Sequence, residues 1–489
     1  MAGGRIMLKP LAPPDAQRLR EFLIAARYTN DDFQASRILQ EIPKRAAGSW
    51  PYLLEHVREP TLHNLLLRLF FLGEPANVDF AAGLIPSPVL SLMLDSGLLA
   101  HHGVVLSAAV MLTPVDQFVF VADTAARMEA QAPDLVVWPN PTTRMLHQAT
   151  IRRPVEATLD LGAGCGIQAV LAASHSGQVT ATDLNPRAAE FTGFNAHLNG
   201  VGNVESLTGD TFETVRDRAF DLIVANPPFF VTPSADQMYC ENSMELDGYC
   251  RRVVREAPRH LREGGFLQMV FEWVQVRGET WQDRIREWLE GTGCDAWVFR
   301  GYARETSAYA RERIRQTSPD AADPETMKRW MNYYRERGVE EIHGGVMSMR
   351  RRAGRNWLRI EDMPLSPPGP FGDAVWDAFA SIDFLHLADE EMLAARPRLA
   401  PGAQLDQQMR QVDGRWQPAE IKLRMAAGIP ASMRLEPPVA DFLAALDGRH
   451  PLGELAAGLA QRVGADPAVV RRECLAVVRK LTERRFLFP

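Results

Sequence analysis

The sequence is short of the residues that would make it a disulfide scaffold, a membrane protein or a polyanion-coating chain. Its five cysteines (Cys165, Cys240, Cys250, Cys294, Cys474) are scattered, with no Cys-x-x-Cys pair. That usage offers neither a disulfide frame nor a zinc site and fits a reducing compartment. No apolar run approaches the length needed to cross a bilayer. Met1-Ala2-Gly3-Gly4-Arg5 leads into no apolar stretch, so no secretory leader is expected. The chain reads as soluble and cytoplasmic, with no membrane and no metal among its expected partners. Positive charge is not in excess: 54 Lys and Arg stand against 61 Asp and Glu, a net charge of -7. Such a balance argues against binding nucleic acid by bulk charge, although it leaves room for a local basic face.

What is present is enough apolar material for several cores. The 489 residues are 46% hydrophobic, which suits two to four domains. Residues 1–135 alternate helical periodicity (16–26, 62–72, 88–98) with short breaks. An extended stretch at 104–121 follows, broken by a turn at Thr113-Pro114-Val115-Asp116. Helices followed by a hairpin suggest a winged-helix-like recognition domain. Residues 136–362 alternate near-continuous apolar strands (157–161, 178–182, 204–207, 220–225, 266–271, 295–300) with amphipathic helices (167–174, 186–199, 248–261). That pattern predicts an α/β, doubly wound, mostly parallel sheet covered on both faces. A helix at 327–337 and strands at 342–350 and 357–360 predict an added antiparallel edge hairpin. Residues 363–433 read as a proline-containing linker and an irregular polar segment. Residues 434–489 read as three helices (438–446, 452–463, 467–483) and a short terminal strand, a small winged-helix-like domain.

Two motifs carry chemistry. Asp160-Leu161-Gly162-Ala163-Gly164-Cys165-Gly166 ends the first strand in a glycine turn. Glycine permits positive φ and lets a ligand approach without a Cβ clash. The spacing is Gly-x-Gly-x-Gly, not the Gly-x-Gly-x-x-Gly of a dinucleotide fingerprint. Asp183 ends the second strand, where a carboxylate can accept both hydroxyls of a ribose. Asn185 then suits a helix N-cap and Pro186 the first helical position. Asp210 follows the third strand in Asp210-Thr211-Phe212; it is placed to accept from an adenine amine while Phe212 packs on the ring.

The second motif is Asn226-Pro227-Pro228-Phe229, directly after the apolar run Phe220-Asp221-Leu222-Ile223-Val224-Ala225. The side-chain oxygen of Asn226 and the backbone carbonyl of Pro227 can both accept from a planar amine or amide. Such acceptors free the nitrogen lone pair and stabilise positive charge that develops on it. The prolines stiffen the turn, and Phe229 can stack on the planar group.

With these residues, the stretch from about 136 to 276 resembles the small-domain branch of class I S-adenosylmethionine (SAM)-dependent methyltransferases. That branch includes release-factor glutamine and ribosomal RNA guanine methyltransferases. The resemblance implies a Rossmann-like methyltransferase sheet and SAM as cofactor. It implies that Asp160, Gly162, Gly164, Gly166, Asp183, Asp210, Thr211 and Phe212 hold SAM, and that Asn226, Pro227 and Phe229 hold the target nitrogen. The segment Trp138-Pro139-Asn140-Pro141-Thr142-Thr143-Arg144 resembles the stretch that covers SAM, which places Thr142 or Thr143 at the methionine carboxylate, with Thr143 taken as the cofactor residue. Two departures bear on the substrate. Glutamine-modifying members usually carry Tyr where this chain has Phe229, and the flanking domains match none of those enzymes.

The implied partners are a macromolecular substrate, RNA or DNA on one side and a protein or peptide amide on the other. A basic stretch at 300–359, with Arg350-Arg351-Arg352, Arg355 and Trp357, favours nucleic acid. The negative net charge and the C-terminal module, which resembles peptide-recognition modules of peptide-modifying enzymes, favour a peptide. A non-catalytic SAM-binding adaptor is the reading from another class; the intact Asn226 and Asp183 argue against it. A polar loop at 233–247 has the composition of a lid, and Trp273 that of a pocket wall. Oligomeric state is not legible.

Overall fold

The computed structural model describes residues 8–35, 50–317, 323–363 and 369–489. They divide into two compact units: Met1–His147 with Pro154–Asp362, and Gln148–Arg153 with Met363–Pro489.

The first unit is built on one eight-stranded sheet. Its strands are β1 (Val155–Leu161), β2 (Ser176–Asp183), β3 (Val204–Thr208), β4 (Phe220–Ala225), β5 (Leu261–Val276), β6 (Cys294–Glu305), β7 (Val339–Arg351) and β8 (Leu358–Asp362). The spatial order is β8-β6-β7-β5-β4-β1-β2-β3. Strands β3, β2, β1, β4 and β5 run parallel, and β7 enters antiparallel between β5 and β6. Leu159, Ile223, Val224 and Ala225 are fully buried, as strands covered on both faces require. The expected mostly parallel, doubly wound sheet with an antiparallel strand is therefore present. One pairing differs from expectation. β7 and β8 do not form a hairpin; both flank β6, and β8 pairs with β6 in parallel.

The chain enters the sheet from α1 (Pro141–Ala149), and α2 (Ile167–Ala172), α3 (Pro186–Leu198) and α4 (Gly248–Glu256) link the parallel strands. Asn185 caps α3 by accepting from the Arg187 N–H at 3.0 Å, with Pro186 at the first position. Three further helices, α5 (Trp281–Leu289), α6 (Thr306–Thr317) and α7 (Pro324–Glu336), cover the β5–β7 end. Of these only α7 is read from the sequence.

The N-terminal residues form helices at Pro13–Ala25, Leu62–Leu66, Val78–Leu84 and Ser87–Asp95, then a small three-stranded sheet and a hairpin of Met111–Val115 with Phe118–Ala122. Thr113, Pro114 and Val115 lie within the first hairpin strand, and the reversal falls one residue later, where Asp116 has φ 51°. This region shares a core with the methyltransferase-like sheet's helices: Leu19, Phe70 and Phe120 cluster with Ile167, Phe191 and Phe194. Polar contacts fix the same junction. Asn195 and Asn199, one turn apart on α3, each accept a backbone N–H and donate to a backbone C=O of Val121 and Val119, at 2.8–2.9 Å. Helix α3 thus meets the hairpin much as a neighbouring strand would. Asp123 is fully buried and takes both terminal nitrogens of Arg187, at 2.9 and 2.7 Å.

The second unit holds α8 (Gly372–Leu385), α9 (Asp389–Ala394), β9 (Arg398–Leu399), β10 (Ala403–Val412), β11 (Arg415–Met425) and β12 (Ser432–Leu435). It continues with α10 (Pro437–Leu443), α11 (Leu452–Val463), α12 (Pro467–Glu483) and β13 (Leu487–Phe488). The three C-terminal helices and the terminal strand fall where the sequence predicts them. Residues 363–433 differ from the expected linker. They carry two helices and a long hairpin, β10–β11, turned at Asp413-Gly414 with φ 49° and 75°. The linker expected at 364–370 lies, except for Gly369 and Pro370, outside the described residues.

Arg187→Ala would remove two charge-assisted bonds from the buried Asp123 carboxylate and leave it with Arg127, at 3.2 Å, and the Val136 N–H, at 2.8 Å. We expect a loss of about 2 kcal/mol, the scale of hydrogen bonds to a charged group. Urea denaturation checks this; a change within about 0.5 kcal/mol, the scale of an ordinary surface substitution, would show that the N-terminal junction does not depend on the pair.

Candidate active site

Register alone brings the two sequence motifs together. Leu161, the last residue of β1, pairs with Ala225 of β4 on one side and Thr182 of β2 on the other. Asp183 pairs with Thr208 of β3. The next residues along β1 and β4, and the last of β2, are Gly162, Asn226 and Asp183. All three stand at one carboxyl edge. The chain also reverses direction across the sheet between β1 and β4, and open α/β sheets bind ligands at that switch point.

The glycine turn is built as its residue types require. Gly162, Gly164 and Gly166 have φ of 74°, 58° and 78°, all in the left-handed region that disfavours a side chain. A Cβ on Gly166 would stand 2.7 Å from the Thr192 side chain, so this glycine also permits close helix packing. Cβ atoms on Gly162 and Gly164 would meet nothing within 4 Å. These two therefore leave an open face beside the backbone, which is what a ligand lying along the turn needs. Asp183 closes the turn: its Oδ2 accepts from Gly164 N–H and its Oδ1 from Asn185 N–H, both at 2.8 Å. Burial raises its pKa, and the two N–H groups pull it back. Each oxygen keeps a second acceptor position, so the residues present fit a ribose-bearing cofactor. Leu184, next to Asp183 and not singled out in the sequence, is an apolar side chain 56% exposed.

Three expected cofactor residues are placed otherwise. Asp160 is buried, and its Oδ2 accepts from Ala169 N–H of α2 at 2.8 Å. It braces the turn from beneath instead of lining the open face. Thr143 gives its hydroxyl proton to Asn140 Oδ1 at 3.0 Å, within the cap of α1. A hydroxyl has one proton, so donation to a carboxylate would cost this bond, while the Thr143 N–H bond that caps α1 would remain. Phe212 is buried and stacked on His260, centroids 4.5 Å apart, so it presents no open face for a ring to pack on. Asp210 is accessible. Burial acts to raise its pKa, but the Thr211 hydroxyl at 2.7 Å and Arg252 at 3.0 Å prevail and hold it below the ordinary carboxyl value. Thr211 sits at φ 46°, a strained setting for a β-branched residue.

At the Asn226-Pro227-Pro228-Phe229 turn, the front is free and the back is held. Among the described residues, neither the Asn226 carboxamide nor the Pro227 carbonyl has a hydrogen-bond partner. Pro228 O accepts from Asn242 Nδ2 at 2.7 Å, and Phe230 N–H donates to Cys240 O at 2.9 Å. Phe229 is only 7% exposed and leans on Phe230 at 5.7 Å, so it presents no open face for stacking. Within the loop at 233–247, Glu241 accepts from the Asp236 and Gln237 N–H groups at 2.8 and 3.0 Å. Asp247 precedes α4 without capping it; its carboxylate takes Arg284 through two bonds of 2.6 Å. Trp273 is core, its Nε1 donating to Trp281 O at 3.2 Å.

Three arginines of the basic stretch make internal contacts. Arg350 pairs with buried Asp295 at 2.6 Å, and Arg351 donates to the carbonyls of Pro258 and Leu261 at 3.1 and 2.6 Å. Arg352 lies 3.7 Å from Asp295. Arg355 of the same stretch is exposed. Among the described residues there is no cluster of three or more metal-ligand side chains, and no helix is long and apolar enough to cross a membrane.

Residues 140–282 match the family model of the methyltransferase small domain. The resemblance read from the motifs is borne out for that segment. Residues 430–487 match a second model, coenzyme PQQ synthesis protein D. The ribosomal protein uL3 glutamine methyltransferase of Bradyrhizobium diazoefficiens is 30% identical over 159 residues, 30% of this chain and 50% of that protein. The release factor glutamine methyltransferase of Geobacter sulfurreducens is 32% identical over 149 residues, 27% and 52% respectively. The ribosomal RNA small subunit methyltransferase C of Alcanivorax borkumensis is 29% identical over 142 residues, 26% and 40%. The chain spans about half the length of the curated relatives it matches.

Burial pushes the Asp160 carboxyl up to about 7, against the Ala169 N–H bond that favours its ionised form. A carboxyl whose folded pKa lies above its unfolded value binds more protons when folded. Its contribution to stability is therefore lost as pH rises from about 4 to about 7, and is level above that. We expect the wild-type Tm to fall across that window relative to Asp160→Asn, whose amide oxygen can still accept from Ala169. Parallel Tm–pH curves for the two proteins would contradict the assignment.

Proposed function

We propose that this chain is a SAM-dependent N-methyltransferase that works in the cytosol on a planar nitrogen of a macromolecule. The observation that carries the reading is the pair of unpartnered acceptors, Asn226 Oδ1 and Pro227 O, one ladder rung from the open glycine turn. Gly162, Gly164 and Asp183 would hold SAM, which supplies a methyl group on a positively charged sulfur. Asn226 and Pro227 accept the two N–H protons of the target. That sets the lone pair toward the cofactor side and stabilises the charge that grows on nitrogen. The two prolines fix the acceptors before the substrate arrives.

For the substrate we favour a side-chain amide of a protein or peptide. Three points support it: Arg350–Arg352 are committed to internal contacts, two of the relatives named above are glutamine methyltransferases, and the C-terminal module resembles peptide-recognition modules. Two observations favour the second reading, a nucleobase amine. Phe229 stands where the glutamine-modifying enzymes usually have Tyr, and one relative is a ribosomal RNA methyltransferase. A base in a duplex would have to be flipped out to reach Asn226.

Two substitutions separate the halves of the site. Asp183→Ala is expected to remove measurable SAM binding by calorimetry; wild-type affinity would defeat the ribose assignment. Asn226→Ala is expected to bind SAM normally and to lose transfer about a hundredfold, the scale of one lost transition-state hydrogen-bonding group. Transfer is read as label moved from SAM into an extract of cells lacking the gene. Label then released by protease and not by nuclease supports the amide; the reverse supports the base.

A further inference from the structure

A buried polar cluster stands behind the substrate turn and belongs to neither motif. Glu272 lies on β5, three residues past Met269, which pairs with Ala225 at the end of β4. The residue is 1% exposed. Its carboxylate accepts from the hydroxyls of Tyr302 on β6 and Tyr309 on α6, and from the guanidinium of Arg313 on α6.

The sheet is shaped to admit this cluster. Gly344 of β7 pairs with Glu272 on one side and Tyr302 on the other. A Cβ on Gly344 would fall 2.2 Å from the Tyr302 ring. Only glycine lets that ring lie across β7 to reach the carboxylate.

The cluster ends on the turn. Arg313 Cζ sits 3.9 Å from the centroid of the Phe230 ring, a cation–π contact made in a buried setting. Tyr309 gives its proton to Glu272 and accepts from Val231 N–H at 3.1 Å. Tyr334 of α7 donates to Val231 O at 2.7 Å. A carboxylate only accepts and a guanidinium only donates, so the direction of the Tyr309 hydroxyl is fixed, and with it the bond to Val231. Burial raises the pKa of both Tyr302 and Tyr309, which keeps them as donors. A buried ion pair is an inefficient way to stabilise a fold, because apolar packing of the same volume does as well or better. Here the charges converge on residues 230 and 231, which immediately follow Asn226–Phe229.

We infer that Glu272, with Arg313, Tyr302 and Tyr309, positions the substrate turn from behind. Residues beyond 282, outside the segment that matches the family model, thereby complete the substrate half of the site. None of the four touches the target; they act through Phe230 and Val231. This inference rests on reading Asn226 and Pro227 as the nitrogen clamp.

The test uses the full chain, label transfer from SAM into the extract at saturating SAM, and calorimetry for SAM binding. Tyr309→Phe removes one hydroxyl and no charge. Its SAM affinity and the SAM concentration for half-maximal rate are expected to stay at wild type, while the transfer rate falls about tenfold from misplacement of the acceptors. The pair Glu272→Gln with Arg313→Met removes both charges together. A network that served stability alone would return to wild-type transfer once Tm matched wild type; we expect a matched Tm with transfer still about tenfold down. If the pair fails to fold, Tyr309→Phe alone decides. Wild-type transfer in Tyr309→Phe, with Asn226→Ala inactive in the same assay, would overturn the inference and leave the clamp standing. A wild-type protein that labels nothing would remove the clamp and this inference with it.

Discussion

The site depends on a ladder register. Ala225, Leu161 and Thr182 share one rung of a parallel sheet, so Asn226, Gly162 and Asp183 arrive at the same edge without any side chain having to reach. Parallel strands end together on one face, and each is followed by a loop that can present polar atoms there. A slip of one residue in β4 would turn its alternating side chains over and carry Asn226 away from the glycine turn. The buried runs Leu159–Leu161 and 222–225 resist that slip, because both faces of these strands are covered.

Around that edge, polar groups divide into those already satisfied and those left free. Asp160, Asn140, Asn185, Asp247, Glu241 and Glu272 all spend their side chains on backbone N–H groups, hydroxyls or arginine. They shape loops that have no sheet or helix of their own to hold them. Asn226 and Pro227 are the exceptions at the turn, and Asp183 keeps capacity beyond its two N–H partners. A preorganised site needs this division: acceptors that meet the ligand stay unpaired, and the groups behind them are locked.

Much of this was legible in the sequence. Apolar runs closed by glycine or proline turns mark β1, β2 and β4 nearly to the residue, and Asn185-Pro186 marks the start of α3. What was not legible has physical causes. Nothing local tells a β strand which partner it will take, so β8 was read beside β7 when it pairs with β6. Residues 401–418 are polar on both faces because the hairpin is exposed on both, which erases the period-two signal; Asp413-Gly414, a two-residue hairpin turn, was the clue left in plain view. The side chain of Phe212 is claimed by His260, a neighbour forty-eight residues on that spacing does not reveal, whereas Asn140, three residues before Thr143, was within reach of the sequence as a helix cap. The arginines at 350–352 look like a basic patch only until Asp295, more than fifty residues away in sequence, is folded beside them.

If one site spans β1 and β4, a crystal structure with S-adenosylhomocysteine will show it: the ribose hydroxyls on Asp183, the ligand backbone along Gly162 and Gly164, and the sulfur turned toward Asn226. A ligand bound elsewhere, or bound with its sulfur facing away from Asn226, would contradict it.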